Sequence, residues 1–346
     1  MALPLQPFIE PMLSEAEEEI PEGEIWRYEP KWDGFRALIF CDGDEVFIQS
    51  RKGQPLGRYF PELIPALCAA LPEQAVVDGE IILPSPQGLD FDALQQRLHP
   101  AASRVLKLSV ATPASFVAFD LLAQGGEDLR ERPLDERRAL LEQAVRDTGQ
   151  VLVTPQTRSV QAARRWFVEF EGAGLDGVIA KRGDQRYRAG ERVMAKIKHL
   201  RTVDCVVGGY RVHKNGGVGS LLLGLYDGEG LLHHVGHTSS FKAKERVELL
   251  ERLKPLEGGQ SFGEGRTPGG PSRWNAGKDL ADWTPLTPTL VCEVTFDYLQ
   301  GPRFRHAATF RHWRTDKEPR ACTYDQIQRP EQFSLEQVTA TGRNPL

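Results

Sequence analysis

The chain has 346 residues, 40% of them hydrophobic and 26% charged, with 43 Lys and Arg against 48 Asp and Glu. That length holds two ordinary domains, each with its own core, and no apolar run reaches the roughly 18 to 20 residues that cross a bilayer, which argues against a membrane protein. Five scattered cysteines with no CxxC spacing argue against a disulfide framework or a zinc cluster.

In chain order, residues 1–30 hold eight Glu and one Arg, the opposite of a basic-then-apolar leader, so a cytoplasmic location is expected. Residues 25–50 alternate as strands, with Asp42-Gly43 as a hairpin turn. Residues 59–71, 90–98 and 134–147 have helical apolar spacing, whereas 76–83 and 116–122 read as strands. Residues 159–171 form an amphipathic helix before the strand-like Gly177-Val178-Ile179-Ala180. After about residue 200 short strands dominate, at 205–210, 220–226, 231–236 and 290–298, with one helix at 242–254. That pattern fits a small Greek-key barrel of the OB type. Between 257 and 285, seven Gly and three Pro predict a long mobile loop.

The net charge of −5 conceals a local excess of cations. Residues 181–214 carry ten Lys and Arg against three acids, and 301–320 carry six against two. Phosphate binding responds to the local field rather than the total, so a basic face is expected.

One octapeptide stands out: Glu29-Pro30-Lys31-Trp32-Asp33-Gly34-Phe35-Arg36. It sets a lysine on an Asp-Gly turn with an arginine close behind. A lysine amine with the ordinary pKa near 10.4 is almost wholly protonated at neutral pH. An attacking lysine therefore needs neighbouring cations that disfavour its ammonium form. Lys196 and Lys198 supply two, on one side of a strand if Met194-Ala195-Lys196-Ile197-Lys198 is extended. Each feature has a plainer reading in isolation: two solvated lysines on an edge strand, turns at Asp33-Gly34 and Asp78-Gly79, and an ordinary core position for Phe119.

Taken in order, the lysine motif is followed by Ser50-Arg51-Lys52-Gly53, Asp78-Gly79-Glu80, Phe119-Asp120, Asp176-Gly177-Val178-Ile179-Ala180-Lys181, the Lys196/Lys198 pair and Arg314-Thr315-Asp316-Lys317. This series resembles the ordered motifs of the covalent nucleotidyltransferases, and within them the ATP-dependent DNA ligases of the stand-alone bacterial repair type (ligase C-like). The resemblance implies an α+β nucleotidyltransferase (adenylation) domain, with antiparallel sheets and flanking helices, over residues 1–200. A β-barrel OB-fold domain is implied over 201–346, and a rotation of that domain about the segment near residue 200.

The resemblance also implies roles. Lys31 would form a phosphoramide with AMP, and Lys196 and Lys198 would neutralise the α-phosphate. Glu29 would accept from the adenine amino group, and Arg36 and Glu80 would hold the ribose. Phe119 would stack on one side of the base, with Ile179 packing on the other. Arg51 would sit near the nucleotide or the 5′-phosphate of the DNA, and Asp120 would brace rather than react. Arg314, Asp316 and Lys317 would orient departing pyrophosphate.

ATP and Mg²⁺ are the implied cofactors, with Mn²⁺ as a substitute, and Glu80 and Asp176 are the candidate metal-facing carboxylates. Asp176 departs from the family's usual Glu by one methylene, which suits contact with Mg²⁺ through a water. Nicked duplex DNA is the implied partner, together with a repair polymerase or an end-binding protein. Nothing in the sequence calls for more than a monomer.

The alternatives are an RNA ligase, an mRNA-capping guanylyltransferase, and a non-catalytic nucleic-acid-binding protein. Glu29 favours adenine, because a carboxylate accepts from the N6 amino group and repels the O6 acceptor of guanine. Two features read as decoys. Asn215-Gly216-Gly217-Val218-Gly219 lacks the Lys-Ser/Thr of a phosphate loop and reads as a hairpin turn. His233, His234 and His237 lack metal-ligand spacing and read as barrel residues.

Overall fold

A computed structural model covers the chain and describes residues 2–86, 88–263, 265–268, 283–297, 299–327 and 334–341. The chain divides into two compact units, Met1–His199 with Pro330–Leu346, and Leu200–Arg329.

In the first unit, strands β1 (Leu13–Glu17), β2 (Trp26–Pro30), β3 (Phe35–Asp42), β4 (Glu45–Ser50), β5 (Gln74–Ile82), β6 (Ser115–Gln124), β7 (Val151–Val153), β8 (Gly177–Arg182) and β9 (Arg192–Lys198) make two sheets. One runs β7-β6-β5-β3-β4 and the other β1-β9-β8-β2. Pairing is antiparallel except for β1 with β9 and β7 with β6, which are parallel. The expectation of antiparallel sheets is thus amended at two edges, where a long excursion separates the partners and a hairpin cannot join them.

The period of two along each strand decides what faces what. In β3, Ala37, Ile39 and Cys41 pack with Leu63 and Leu67 of α1 (Leu63–Ala70) and with Leu141 from residues 134–144, a helix. Their neighbours Leu38 and Phe40 pack instead with Met12, Tyr187 and Met194, on the side of the second sheet. The second sheet is divided likewise. Val178, Ala180, Ala195 and Ile197 pack with Ala163 of the helix at 160–169, so Ile179, Lys181, Lys196 and Lys198 are turned the other way. Even-numbered residues of β3 and β5 and the outward set of β8 and β9 therefore enclose a common space.

In the second unit β10 (Arg201–Val212), β11 (Val218–Tyr226), β12 (Leu232–Thr238), β13 (Val291–Phe296) and β14 (Thr309–Trp313) form one antiparallel sheet, ordered β12-β11-β10-β13-β14. Its core holds Val206, Leu221, Leu223, Val235, Leu253, Phe262 and Val294. The helix expected near 242–254 spans Ala243–Leu253 and packs on β11. Asn215–Gly219 lies at the turn joining β10 to β11, where Gly216 and Gly217 take positive φ. Part of the expected loop at 257–285 lies outside the described residues; within it, Phe262 is buried in the core.

The expected second domain, 201–346, differs from this division at its C-terminal end. The helix Leu335–Thr341 belongs with the first unit, because Val338 is fully buried among Trp166, Phe170, Ala173 and Leu175. Among the described residues no helix is long and apolar enough to cross a membrane.

Candidate active site

The space between the two sheets is a cavity of about 290 Å³ lined by Glu29, Lys31, Trp32, Arg36, Arg51, Glu80, Phe119, Ile179, Lys181, Lys196 and Lys198, with Pro11, Leu13, Ser14, Pro30 and Met194. Nine of the sequence-predicted residues meet there. Arg314 and Lys317 belong to the second unit, and Asp176 is not among the lining residues.

Lys31 follows directly on β2, and the ladder continues past the strand end to fix it. Its N–H donates to Gly177 O at 2.9 Å, and the Asp176 N–H donates to Lys31 O at 2.9 Å. Two close approaches hold this corner. A Cβ on Gly34 would lie 2.1 Å from Ile81 O, and one on Gly177 would lie 2.0 Å from Ile197 O, at a φ of +127° that L side chains avoid. Trp32 anchors the loop by donating its indole N–H to Thr154 Oγ1 at 2.8 Å.

The same register brings the Lys31 and Asp176 side chains together, with Nζ to Oδ2 at 2.6 Å; Lys198 Nζ reaches the same oxygen at 2.8 Å. The cation expected beside Lys31 is present in Lys198, and the two ammonium groups share one carboxylate. Burial alone would raise Asp176, but Lys31 and Lys198 hold it below the usual carboxylate range, so it is an anchoring anion rather than a base. Lys196 is pushed below the usual lysine range, first by burial and then by Lys198, Lys31, Arg192 and Arg51. The cationic crowding expected of the site acts on this residue.

Arg36 sits opposite Glu80 in the β3–β5 ladder, yet its guanidinium reaches the fully buried Asp78 with two bonds of 2.6 Å. Tyr187 donates its hydroxyl to Asp78 at 2.6 Å and accepts from the Met12 N–H at 3.0 Å. Glu80 is left without the bidentate partner that its position suggests. Burial first, with Asp33 and Asp78 adding and Arg36 and Lys31 opposing, moves its carboxyl up to about 7.

Phe119 is presented by a bulge. Asp78 pairs with Asp120 and Gly79 with Ala118, so Phe119 is the extra residue of β6, a device that re-aims a side chain. Arg36 Cζ stands 4.5 Å and Lys181 Nζ 4.6 Å from its ring centroid. Asp120 takes two 2.8 Å bonds from buried Arg137, away from the cavity chemistry.

Glu29 is 3% exposed and fixed at both oxygens, pairing with Lys181 Nζ at 2.7 Å and accepting from Gln156 Nε2 at 2.8 Å, with Arg138 at 3.8 Å. Lys181, Gln156, Asp78 and Tyr187 join the site without a role implied by the motif resemblance. Lys181 was within reach as the last residue of its motif on the Ile179 side of the strand; the others become visible only through their partners.

Six cations (Lys31, Arg36, Arg51, Lys181, Lys196, Lys198) thus face two carboxylates in a cavity with two aromatic residues, Trp32 and Phe119, and several apolar walls. That balance suits a polyanion with a flat, uncharged end. The chain matches a family model described as "ATP dependent DNA ligase domain" over residues 11–198, and another described as "ATP dependent DNA ligase C terminal region" over 214–317. It is 51% identical to the DNA ligase C of Mycobacterium tuberculosis over 98% of this chain and 99% of that one. The chain belongs to the ATP-dependent DNA ligases. It is also 33% identical to the multifunctional non-homologous end joining DNA repair protein LigD of M. tuberculosis, over 85% of this ligase but 37% of that longer protein. A solved structure titled as a structure–function analysis of Lig E DNA ligases superposes with a TM-score of 0.53 at 18% identity, covering 88% of this chain and 99% of that one. The fold is that of nucleotidyltransferase-type ligases, with a C-terminal sheet domain consistent with an OB-fold, and the enzyme is an ATP-dependent DNA ligase.

In the second unit the last motif is folded back on acids. Arg314 reaches Asp204 at 3.0 Å and Asp316 at 2.8 Å, and Lys317 reaches Asp204 at 3.3 Å.

Proposed function

We propose that the ligase is charged with AMP on Lys31 within this cavity, passes the AMP to a 5′-phosphate at a nick in duplex DNA, and seals the nick when the neighbouring 3′-hydroxyl expels it. The observation that carries this reading is the Lys31 amine at the wall of a cavity whose other cations, Lys196, Lys198 and Arg51, surround the place where phosphates would lie. Phosphoryl transfer gains most from positioning and charge compensation of this kind. Asp176 aims the Lys31 amine. When the Lys31 nitrogen, its proton lost, bonds to the α-phosphorus and the bond from that phosphorus to the departing pyrophosphate breaks, Lys198 still balances Asp176.

In this reading Glu29, immobilised by Lys181 and Gln156, presents a fixed acceptor to the adenine amino group. Ile179 and Phe119 wall the base, with Arg36 and Glu80 at the ribose and Arg51 toward the phosphates or the DNA end. Arg314 and Lys317, from the second unit, take the pyrophosphate. We assign residues 1–199 with the returning C-terminal helix to adenylation and 200–329 to an OB barrel. The bridge between Thr238 and Ala308, and the 3.1 Å bond from the Phe310 N–H to Thr238 Oγ1, support closure, since they link the two outer strands.

Among the described residues no group of three or more His, Cys, Asp or Glu is arranged to hold a metal, and Asp176 already serves two lysines. Glu80, in the cavity lining, is the carboxylate that would face an Mg²⁺ ion carried in on the nucleotide phosphates. Bound there, the ion would offset phosphate charge. The likeness to a protein named for end joining supports a repair role beside a polymerase or end-binding protein.

The test is transfer of label from α-labelled ATP or GTP to wild type and Lys31→Ala. Labelling of wild type by ATP alone is expected, with none on the variant; equal labelling of both proteins contradicts the reading.

A further inference from the structure

We infer that Asp204 and Glu293 form a resting counter-site for the pyrophosphate-handling cations, so that Arg314 and Lys317 are held neutralised until pyrophosphate competes them away. This rests on the assignment of Arg314 and Lys317 to pyrophosphate, and it makes Asp204 a positioning residue for the adenylation step.

Asp204 on β10 and Glu293 on β13 are direct cross-strand partners. Like charges in that relation repel, so the pair needs a cation to sit comfortably. Arg314 provides it, with Nη1 at 3.0 and 3.1 Å from the two Asp204 oxygens and 3.8 Å from Glu293 Oε2. Its Nε and Nη2 face Asp316 at 2.9 and 2.8 Å. Lys317 adds its ammonium to Asp204. The backbone holds the arrangement: Arg314 N–H donates to Val291 O at 2.9 Å. Gln326 clamps Asp204 by accepting from its N–H and donating to its carbonyl, both at 3.2 Å. Two cations here meet three carboxylates, so the cluster has no positive charge to offer an anion while it stays closed.

Pyrophosphate is the ligand that fits what these side chains would hold on opening, since an arginine fork and an ammonium match its oxygens. Binding must displace Asp204, an internal competitor whose loss should tighten pyrophosphate binding.

The reverse of adenylation reads this directly. The adenylated enzyme is freed of nucleotide and given inorganic pyrophosphate. A pyrophosphate oxygen bonds to the adenylate phosphorus, the P–N bond to Lys31 breaks with its electron pair going to nitrogen, the nitrogen takes a proton, and ATP leaves. In Asp204→Asn the KM for pyrophosphate should fall about fivefold, the scale of one partly exposed ion pair, with kcat within about twofold. Glu293→Gln should move it the same way by less, and it carries the test if Asp204→Asn does not fold. Glu318→Gln, which removes an exposed acid beside Lys317, should leave the KM in place, and Lys317→Ala should raise it.

An unchanged or raised KM in Asp204→Asn, with Lys317→Ala still raising it, overturns the counter-site alone. An equal fall in Glu318→Gln overturns it in favour of general charge. No effect of Lys317→Ala overturns the pyrophosphate assignment and the counter-site with it.

Discussion

Glu29 and Lys181, each 3% exposed at the side chain, are a buried pair in which either partner alone is costly. Lys181→Met should lower stability by about 3 kcal/mol, because it leaves a buried carboxylate uncompensated, and should also abolish adenylation. Glu29→Gln combined with Lys181→Met should recover much of the stability, measured by denaturant unfolding, without recovering label uptake. A double variant that adenylates normally would remove Glu29 from base recognition. The residue types at this site were legible from the sequence, because motif spacing survives without coordinates. The pairings were not: Glu29 with Lys181, Arg36 with Asp78, and Lys31 with Asp176 lie between 42 and 152 positions apart. Asp176 shows the consequence. Its chemistry read as metal-facing, while cross-strand register delivers it to two lysines. Phe119 was legible as an aromatic in the right motif, but the bulge that turns it toward the cavity leaves no mark in its own sequence.

Elements with strong periodicity were readable to within a few residues, among them the strands Gly177–Arg182 and Val291–Phe296 and the helix Ala243–Leu253. Leu13–Glu17 was not, since a polar run such as LSEAE carries no strand pattern and is extended only because β9 accepts it in parallel. At this scale Gly177→Ala is the sharpest lesion. Its Cβ would collide with Ile197 O, so the β8–β9 ladder must shift, and adenylation should fall more than tenfold as the lysines lose their common aim. A variant with near-normal label uptake contradicts that geometry.

His234 offers a pH test of the second unit. Burial first, then the charges of Arg303, Arg211 and His237, lowers it to about 3, with a hydrogen bond to the Gly236 backbone opposing them. Above about pH 6.5 the ring is neutral folded or unfolded. As pH falls from 6.5 toward 3 only the unfolded chain takes the proton, so stability is lost. Going from pH 7.5 to 5.5 should cost about 1.4 kcal/mol more in wild type than in His234→Leu. Equal losses in the two would show that His234 is protonated in the folded unit.

For the molecule as a whole, a net charge of −5 coexists with basic stretches, so affinity for nicked duplex should be modest and fall steeply with salt. The logarithm of the binding constant should decline linearly with that of the salt concentration; a flat response would contradict phosphate-led binding. Removal of the helix Leu335–Thr341, which buries Val338 against the first unit, should lower that unit's stability by about 2 kcal/mol, read by denaturant unfolding. The most direct test of the whole account is peptide mapping by mass spectrometry after exposure to ATP and Mg²⁺. One AMP should be found, on the peptide containing Lys31 and on that side chain. An unmodified Lys31, or AMP carried by another residue, would contradict it.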